Sequence, residues 1–218
     1  MKNKRGSRIY RFCYALFSGI VGLIFRIKVI GGDREPDEGG FLVCSNHIAA
    51  SDAVIMCYAF RKHQVRLMGK KELFKIPVLS SLLKMLGAFP IDRSGGDVGA
   101  IKKAVGFLKQ GECVGIFPQG HRYPEVDPRS TPTKNGAALI CTRAQADLFP
   151  IYIWRKGNKP KLFRRTYVIM GERIPFSQIS DAASPGEYKK ITDAVFDQIC
   201  SLGESFSPEQ LKKDKKRK

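Results

Sequence analysis

The stretch Val43-Cys44-Ser45-Asn46-His47-Ile48-Ala49-Ala50-Ser51-Asp52 joins a histidine to a carboxylate five positions later. On a regular helix such residues point about 140° apart, so they can cooperate only if His47 lies on a turn and Asp52 begins the next helix. The sequence favours this arrangement, because an apolar, strand-like run and a turn-like Ser-Asn pair precede the histidine, and a serine that can cap a helix precedes the acid. A carboxylate beside a histidine can fix the ring nitrogen that accepts a proton and stabilise the imidazolium.

Taken alone, the pair is more often a structural histidine and an acid at a helix end than a catalytic site. Three later segments favour a site, because residues 87–93, 115–122 and 148–153 each place a notable residue beside an apolar strand, where α/β folds carry binding groups. Arg93 and Arg122 matter most, since guanidinium groups match the oxygens of phosphate or carboxylate. Singly, each is a surface charge or the partner of an acid; together, near a histidine base, they indicate an anionic substrate.

Four blocks follow one another along the chain. They are Asn46-His47 to Asp52, Gly87 to Arg93, Phe117-Pro118-Gln119-Gly120-His121-Arg122, and Phe149-Pro150-Ile151-Tyr152. Their order and spacing resemble the lysophosphatidic acid acyltransferases of the glycerolipid acyltransferase superfamily, the PlsC type. That family carries N-H-x4-D, a segment ending in Ile-Asp-Arg, the sequence Phe-Pro-Glu-Gly-Thr-Arg, and a proline-centred apolar strand. The resemblance covers roughly residues 30–175.

The resemblance implies transfer of a fatty acyl group from acyl-CoA or acyl-acyl carrier protein to the sn-2 hydroxyl of lysophosphatidic acid, giving phosphatidic acid. His47 would be the general base and Asp52 its orienting partner. The expected phosphate-binding residues are Arg93, Arg122, Lys71, Gly120 and Gln119, and His121 and Asn46 are further candidates. No cofactor and no metal site are expected. Glycerol 3-phosphate or another lysolipid remains an alternative acceptor.

Two positions depart from the family pattern, because Gln119 replaces the usual glutamate and His121 the usual threonine. If backbone amides and Arg122 form the phosphate site, these changes adjust it without abolishing it. If the glutamate carboxylate has a role of its own, the changes alter the choice of substrate. His121 is either a phosphate donor or a partly exposed turn residue.

Length and cysteine content favour one reduced, intracellular domain. The chain has 218 residues, which suits a single core, and its six scattered cysteines lack the spacing of a disulfide scaffold or a metal site. Cys44 lies near His47 and is either a nucleophile or an inert residue inside an apolar strand; the strand favours the inert role. The sequence has no G-x-S-x-G motif, so we expect direct acyl transfer without an acyl-enzyme.

A net charge of +18 requires an anionic partner, which is nucleic acid, an anionic membrane or anionic small molecules. Residues 12–25 are apolar with basic flanks and are short for a membrane span. They suit a helix lying in the interface of an anionic leaflet, with a signal peptide as the competing interpretation. No nucleic-acid motif accompanies the charge, although a basic nucleic-acid-binding protein stays the alternative of a different class. The expected location is the cytoplasmic face of the cell membrane, with a lysophospholipid acceptor and an acyl thioester donor as partners and no nucleic acid.

The remaining pattern predicts an α/β fold with a central mixed β-sheet flanked by helices. The expected domains are a basic membrane-associating helix (1–30), an acyltransferase domain (31–205) and a basic, disordered tail (206–218). Residues 70–86 are either a core helix or a surface that guides an acyl chain. Strands are expected near 41–44, 65–69, 88–91, 113–117, 148–153 and 166–170. Helices are expected at about 8–27, 52–61, 77–86, 96–109, 136–144 and 184–202, and His47, Arg93 and Arg122 should lie along one edge of the sheet.

Overall fold

The computed structural model describes residues 8–92, 97–179 and 185–211. The helices are α1 (Arg8–Phe25), α2 (Ser51–Ala59), α3 (Pro77–Met85), α4 (Val98–Lys109), α5 (Gly136–Ala144) and α6 (Tyr188–Glu204). The strands are β1 (Ile27–Ile30), β2 (Phe41–Ser45), β3 (Val65–Lys70), β4 (Phe89–Ile91), β5 (Cys113–Ile116), β6 (Asp147–Trp154) and β7 (Thr166–Met170). The predicted alternation of strands and helices is confirmed from β2 onward.

The strands form one sheet in the order β1-β7-β6-β2-β5-β3-β4. Every neighbouring pair is parallel except β6 and β7, which run antiparallel. The predicted mixed sheet is therefore confirmed. Strand β2 lies at its centre, with Cys44 opposite Ile116 of β5 on one side and Pro150 of β6 on the other.

Both faces of the sheet are covered, which explains the continuous apolar character of β2. Leu42 and Cys44 point into a core formed with α4, α5 and α6, whereas Phe41 and Val43 pack with α2 on the opposite face. All five residues of β2 are buried. The strand is thus fixed on both sides and along both edges, and its carboxyl end delivers His47 to the rim of the sheet.

The N-terminal segment differs from the sequence prediction. Helix α1 ends at Phe25, Arg26 has a positive φ of 45°, and Ile27–Ile30 form edge strand β1 beside β7. Residues 27–30 therefore belong to the sheet and not to the predicted N-terminal helix. This strand has four half-buried residues directly after a helix, so it lacks the alternating pattern from which strands are recognised.

The carboxyl-terminal packing extends slightly past the expected boundary at residue 205. Phe206 lies 5.7 Å from Trp154 and 4.9 Å from Tyr167 between ring centroids. The folded domain therefore includes at least this residue. The basic residues of the predicted tail, 212–218, lie outside the described residues, as do residues 1–7 and Arg93.

Candidate active site

His47 and Asp52 form a buried pair at the carboxyl end of β2. His47 Nδ1 lies 3.0 Å from Asp52 Oδ2, and the histidine is 6% exposed while the aspartate is fully buried. The same carboxylate oxygen accepts the backbone N–H groups of Ile48 and Ala49, at 2.6 and 2.7 Å. Because Nδ1–H donates to this carboxylate, Nε2 is left as the ring's proton acceptor. As predicted, the histidine lies on a turn and the acid in the first turn of α2.

Arg155 completes this cluster, and the sequence analysis missed it. Its Nη1 forms an ion pair with Asp52 Oδ1 at 2.8 Å, and its Nη2 donates to Ser51 Oγ at 3.1 Å. The guanidinium is buried, since the residue is only 4% exposed. The available signal was a basic residue directly after β6, the strand that pairs with β2. Asp52 is thereby held between a histidine and an arginine.

The ring and backbone of His47 are fixed by the segment after β5. Phe117 stacks on the imidazole, with ring centroids 3.9 Å apart and planes 10° from parallel. The His47 N–H donates to Gln119 Oε1 at 2.6 Å, and the His47 carbonyl accepts the N–H of Tyr123 at 2.9 Å. The third sequence block thus orients the histidine before any substrate arrives.

Gln119 is a positioning residue in this geometry. It is 1% exposed, and its Nε2 donates to Thr131 Oγ1 at 2.7 Å while its Oε1 holds the His47 backbone. The Thr131 hydroxyl in turn donates to the Pro128 carbonyl. An amide suits this place because it both donates and accepts, whereas a carboxylate only accepts. The arrangement favours positioning of His47 over the predicted contact between Gln119 and phosphate.

The side chain of Asn46 hydrogen-bonds to the protein backbone. Its Nδ2 donates to the Ile153 carbonyl at 3.1 Å, and its Oδ1 accepts the Ile153 N–H at 2.8 Å. This pair of hydrogen bonds imitates a strand pairing and continues the β2–β6 ladder through one side chain. It fixes the turn that carries His47 away from the sheet.

An apolar cavity of about 270 Å³ opens beside His47. It is lined by side chains of β3, β5, α4 and α5, with charged residues that include Asp92 and Lys134. Gly120, with φ of 70°, faces the stem of Lys134 so closely that an added Cβ would lie 2.8 Å from the lysine Cδ. Lys134 places a positive charge at this cavity and was not among the predicted site residues.

Of the predicted phosphate-binding residues, Gly120 lines this cavity, and Lys71 and His121 contact its charged residues Asp92 and Lys134. Lys71 is exposed, and its Nζ lies 3.4 Å from Asp92 Oδ2. His121 is exposed, and its Nε2 lies 3.4 Å from Lys134 Nζ. Arg122 is exposed on the same turn. Arg93 lies outside the described residues, so the structure does not place it.

Cys44 is an inert residue of the core. It is fully buried in the middle of β2, and burial raises the pKa of its thiol well above the ordinary value. A protonated, inaccessible thiol does not attack a thioester. The position therefore favours the inert role of Cys44 over that of a nucleophile.

A second apolar cavity, of about 290 Å³, lies between α1, α2, α3 and β3. Its walls include Phe17 of α1, Cys57 of α2, Leu67 of β3 and Leu83 of α3. Two of these three helices, α1 and α3, also expose several large apolar side chains. They are Phe12, Leu16, Phe17, Ile20 and Leu23 on α1, and Val78, Leu82 and Met85 on α3. Within the described part of the chain, no helix is long and apolar enough to cross a membrane.

Comparison with known proteins shows to which family the chain belongs. The Acyltransferase family model matches residues 26–154. A 1-acyl-sn-glycerol-3-phosphate acyltransferase of Bacillus subtilis is 30% identical over 196 residues, covering 89% of this chain and 96% of that protein. One of Streptococcus pneumoniae is 31% identical, covering 84% of this chain and 71% of that protein.

A solved structure shares the fold. The 1-acyl-sn-glycerophosphate acyltransferase PlsC of Thermotoga maritima superposes with a TM-score of 0.66 at 18% sequence identity, covering 92% of this chain and 85% of that one. At this identity the likeness concerns the fold alone. The family model and the Bacillus relative carry the assignment that the four sequence blocks predicted. The chain belongs to the acyltransferase family.

Proposed function

We propose that this enzyme transfers a fatty acyl group from a thioester to the free sn-2 hydroxyl of lysophosphatidic acid, giving phosphatidic acid. The observation that carries the proposal is the buried His47–Asp52–Arg155 cluster beside an apolar cavity. The relatives named for this reaction cover most of the chain. Both cavities offer apolar surface for the acyl chains of a donor and a lysolipid.

In the proposed mechanism, His47 Nε2 takes the proton of the acceptor hydroxyl while the hydroxyl oxygen attacks the thioester carbonyl. The new C–O bond forms, the C–S bond breaks, and the proton is passed from the imidazolium to the departing thiolate. Asp52, whose Oδ2 lies 3.0 Å from Nδ1, stabilises the imidazolium and keeps Nε2 directed outward. A positioned base of this kind contributes about 10²–10⁴-fold to the rate.

Positive side chains around the cavity hold the acceptor phosphate in this proposal. Lys134 lines the cavity, and Lys71 contacts Asp92, which also lines it. Arg122 is exposed on the turn that follows Phe117. Arg93 is added on the sequence pattern alone. Holding the phosphate places the hydroxyl near Nε2, which replaces a random encounter with a fixed approach.

The proposed location is the cytoplasmic face of the cell membrane, with α1 lying in the interface of an anionic leaflet. Leu23 is 72% exposed and Phe12 69% exposed on this helix. Burial of such side chains in the acyl region is favourable by the hydrophobic effect. The basic residues that flank this helix add attraction to acidic lipids.

Release of free thiol from palmitoyl-CoA, with and without acceptor, tests the proposed function. We expect release to depend on lysophosphatidic acid and to be weak with glycerol 3-phosphate or lysophosphatidylcholine. Acyl-acyl carrier protein should be assayed as donor in parallel. Preference for glycerol 3-phosphate would transfer the assignment to the alternative acceptor, and silence with both donors and all acceptors would reject the proposal.

A further inference from the structure

The loop between β6 and β7, residues 155–165, combines strong positive charge with exposed apolar side chains. Its sequence is Arg-Lys-Gly-Asn-Lys-Pro-Lys-Leu-Phe-Arg-Arg, with six basic residues and no acidic one. Leu162 and Phe163 are 60% and 61% exposed. Large apolar side chains at the tip of a basic loop are unfavourable in water and favourable at an anionic membrane surface.

The backbone of this loop is held in an unusual conformation. Phe163 has φ of 57°, a left-handed value that is rare for a bulky side chain. It is fixed there by a hydrogen bond from the Phe163 N–H to the Ile24 carbonyl in the last turn of α1, at 2.7 Å. This bond satisfies one of the carbonyls that a helix end leaves without a partner. The fold thus maintains a strained aromatic residue in an exposed position.

The same bond places the tip of the loop at the carboxyl end of α1. Ile24 is adjacent in sequence to Leu23, which is 72% exposed, so the loop and this helix present exposed apolar side chains close to one another. Lys156, Lys159, Lys161, Arg164 and Arg165 are all exposed around them. Lys159 pairs with Glu125, and the others flank the two apolar residues within the loop.

We propose that residues 156–165 form a second membrane-contacting element, in which Leu162 and Phe163 insert into an anionic leaflet and the flanking basic residues bind its phosphates. The inference rests on the membrane association proposed for α1. Two contacts at different places on the fold define an orientation, whereas a single helix can rotate about its own axis. Arg155 begins the loop and pairs with Asp52, so docking of the loop also fixes the active site relative to the bilayer.

Sedimentation of the full-length protein with vesicles tests the apolar part of this element. Vesicles of phosphatidylcholine and phosphatidylglycerol are compared with vesicles of phosphatidylcholine alone. The Leu162→Asn/Phe163→Asn variant should bind the anionic vesicles about tenfold more weakly for each side chain removed. Asparagine accepts a positive φ more readily than phenylalanine, so thermal unfolding should show an intact fold. Val98→Asn is the control, because Val98 is a 55% exposed apolar residue on α4, which packs against the other face of the sheet.

The charged part is tested with Lys161→Gln/Arg164→Gln. Binding to anionic vesicles should fall about fivefold per residue and binding to neutral vesicles should not change. Lys102→Gln/Lys103→Gln on α4 removes the same charge from the opposite side and should have a much smaller effect. Equal losses in both charge variants, or loop variants that bind like the unaltered protein, would overturn the proposal. So would loop variants that lose affinity only for an acidic carrier protein or for nucleic acid.

Acyl transfer measured on detergent-dispersed substrates separates this inference from the proposed function. Loop variants should retain that activity, since their altered side chains lie outside the catalytic cluster. If the loop variants lose vesicle binding but even the unaltered protein transfers no acyl group, the proposed function is rejected and the loop assignment is kept. If the unaltered protein transfers acyl groups and the loop variants bind vesicles as it does, the proposed function is kept and the loop assignment is rejected.

Discussion

Replacing Arg155 with methionine tests whether the arginine holds the carboxylate of Asp52 in place. The ion pair joins Arg155 Nη1 to Asp52 Oδ1 at 2.8 Å, and both side chains are under 5% exposed. At an effective dielectric constant of about 20, two unit charges at this distance attract by about 6 kcal/mol. Desolvation offsets part of this, but methionine would leave the charge of Asp52 buried without its cation. We therefore expect the free energy of unfolding to fall by about 3–5 kcal/mol.

The same substitution should lower kcat more than it raises KM. The Ile48 and Ala49 N–H groups still hold Asp52 Oδ2, so the carboxylate stays but is less tightly oriented. A loss of about tenfold to a hundredfold in kcat is expected, within the range that a positioned base contributes. Urea unfolding gives the stability, and thiol release across a range of acceptor concentrations separates kcat from KM.

Two controls make the Arg155 test specific. Ser51→Ala removes the second contact of the guanidinium and should cost only about 1 kcal/mol. In a double-mutant cycle with Asp52→Asn, the stability effects should be strongly non-additive, because the two residues share one interaction. Additive effects, or an Arg155→Met variant less than about 1 kcal/mol below the unaltered protein, would refute this account of the cluster.

Three further predictions follow from buried contacts. Gln119→Leu should lower the free energy of unfolding by about 1–3 kcal/mol and should also lower kcat, because the His47 N–H and the Thr131 hydroxyl each lose a partner. Gln119→Glu keeps an acceptor for the His47 N–H and should therefore be less harmful. If urea unfolding showed the glutamate variant to be the less stable of the two, the positioning role of Gln119 would be contradicted. Cys44→Ala should keep acceptor-dependent thiol release within a few fold, since its buried thiol takes no part in the transfer; loss of activity in a folded variant would revive a covalent route. Burial raises the pKa of Cys113 and Cys141 to about 12 from 9.0. Their contribution to stability is therefore present below pH 9 and is lost as pH rises toward 12, by up to about 1.4 kcal/mol per pH unit for each thiol. Cys113→Ala should make this loss of stability with pH shallower, and an unchanged pH dependence would exclude the thiol as a cause.

Local patterns in the sequence were sufficient for the central part of the site. The strand–turn–helix order around His47 and Asp52 is encoded within about ten residues, so the pair was predictable before the fold was known. The sheet was predictable because buried parallel strands are continuous apolar runs. Edge strand β1 was not, since its four half-buried residues follow a helix without a break in composition.

Contacts between segments that are distant in the sequence could not be predicted from local patterns. Arg155 reaches Asp52 because β6 lies beside β2 with Ile151 opposite Ser45, and no local pattern contains that register. Gln119 was expected to bind phosphate because it occupies the glutamate position of the third block, whereas its side chain points inward to His47 and Thr131. In both cases the role depends on what packs against the residue.

The central claim is that His47 is the base for acyl transfer to lysophosphatidic acid. The most direct measurement is formation of phosphatidic acid, followed by mass spectrometry, by the unaltered protein and by His47→Gln under identical conditions. The account predicts phosphatidic acid from the unaltered protein and a rate at least about a hundredfold lower from the variant, with the variant still folded by circular dichroism. A folded His47→Gln that forms phosphatidic acid at the original rate would contradict it.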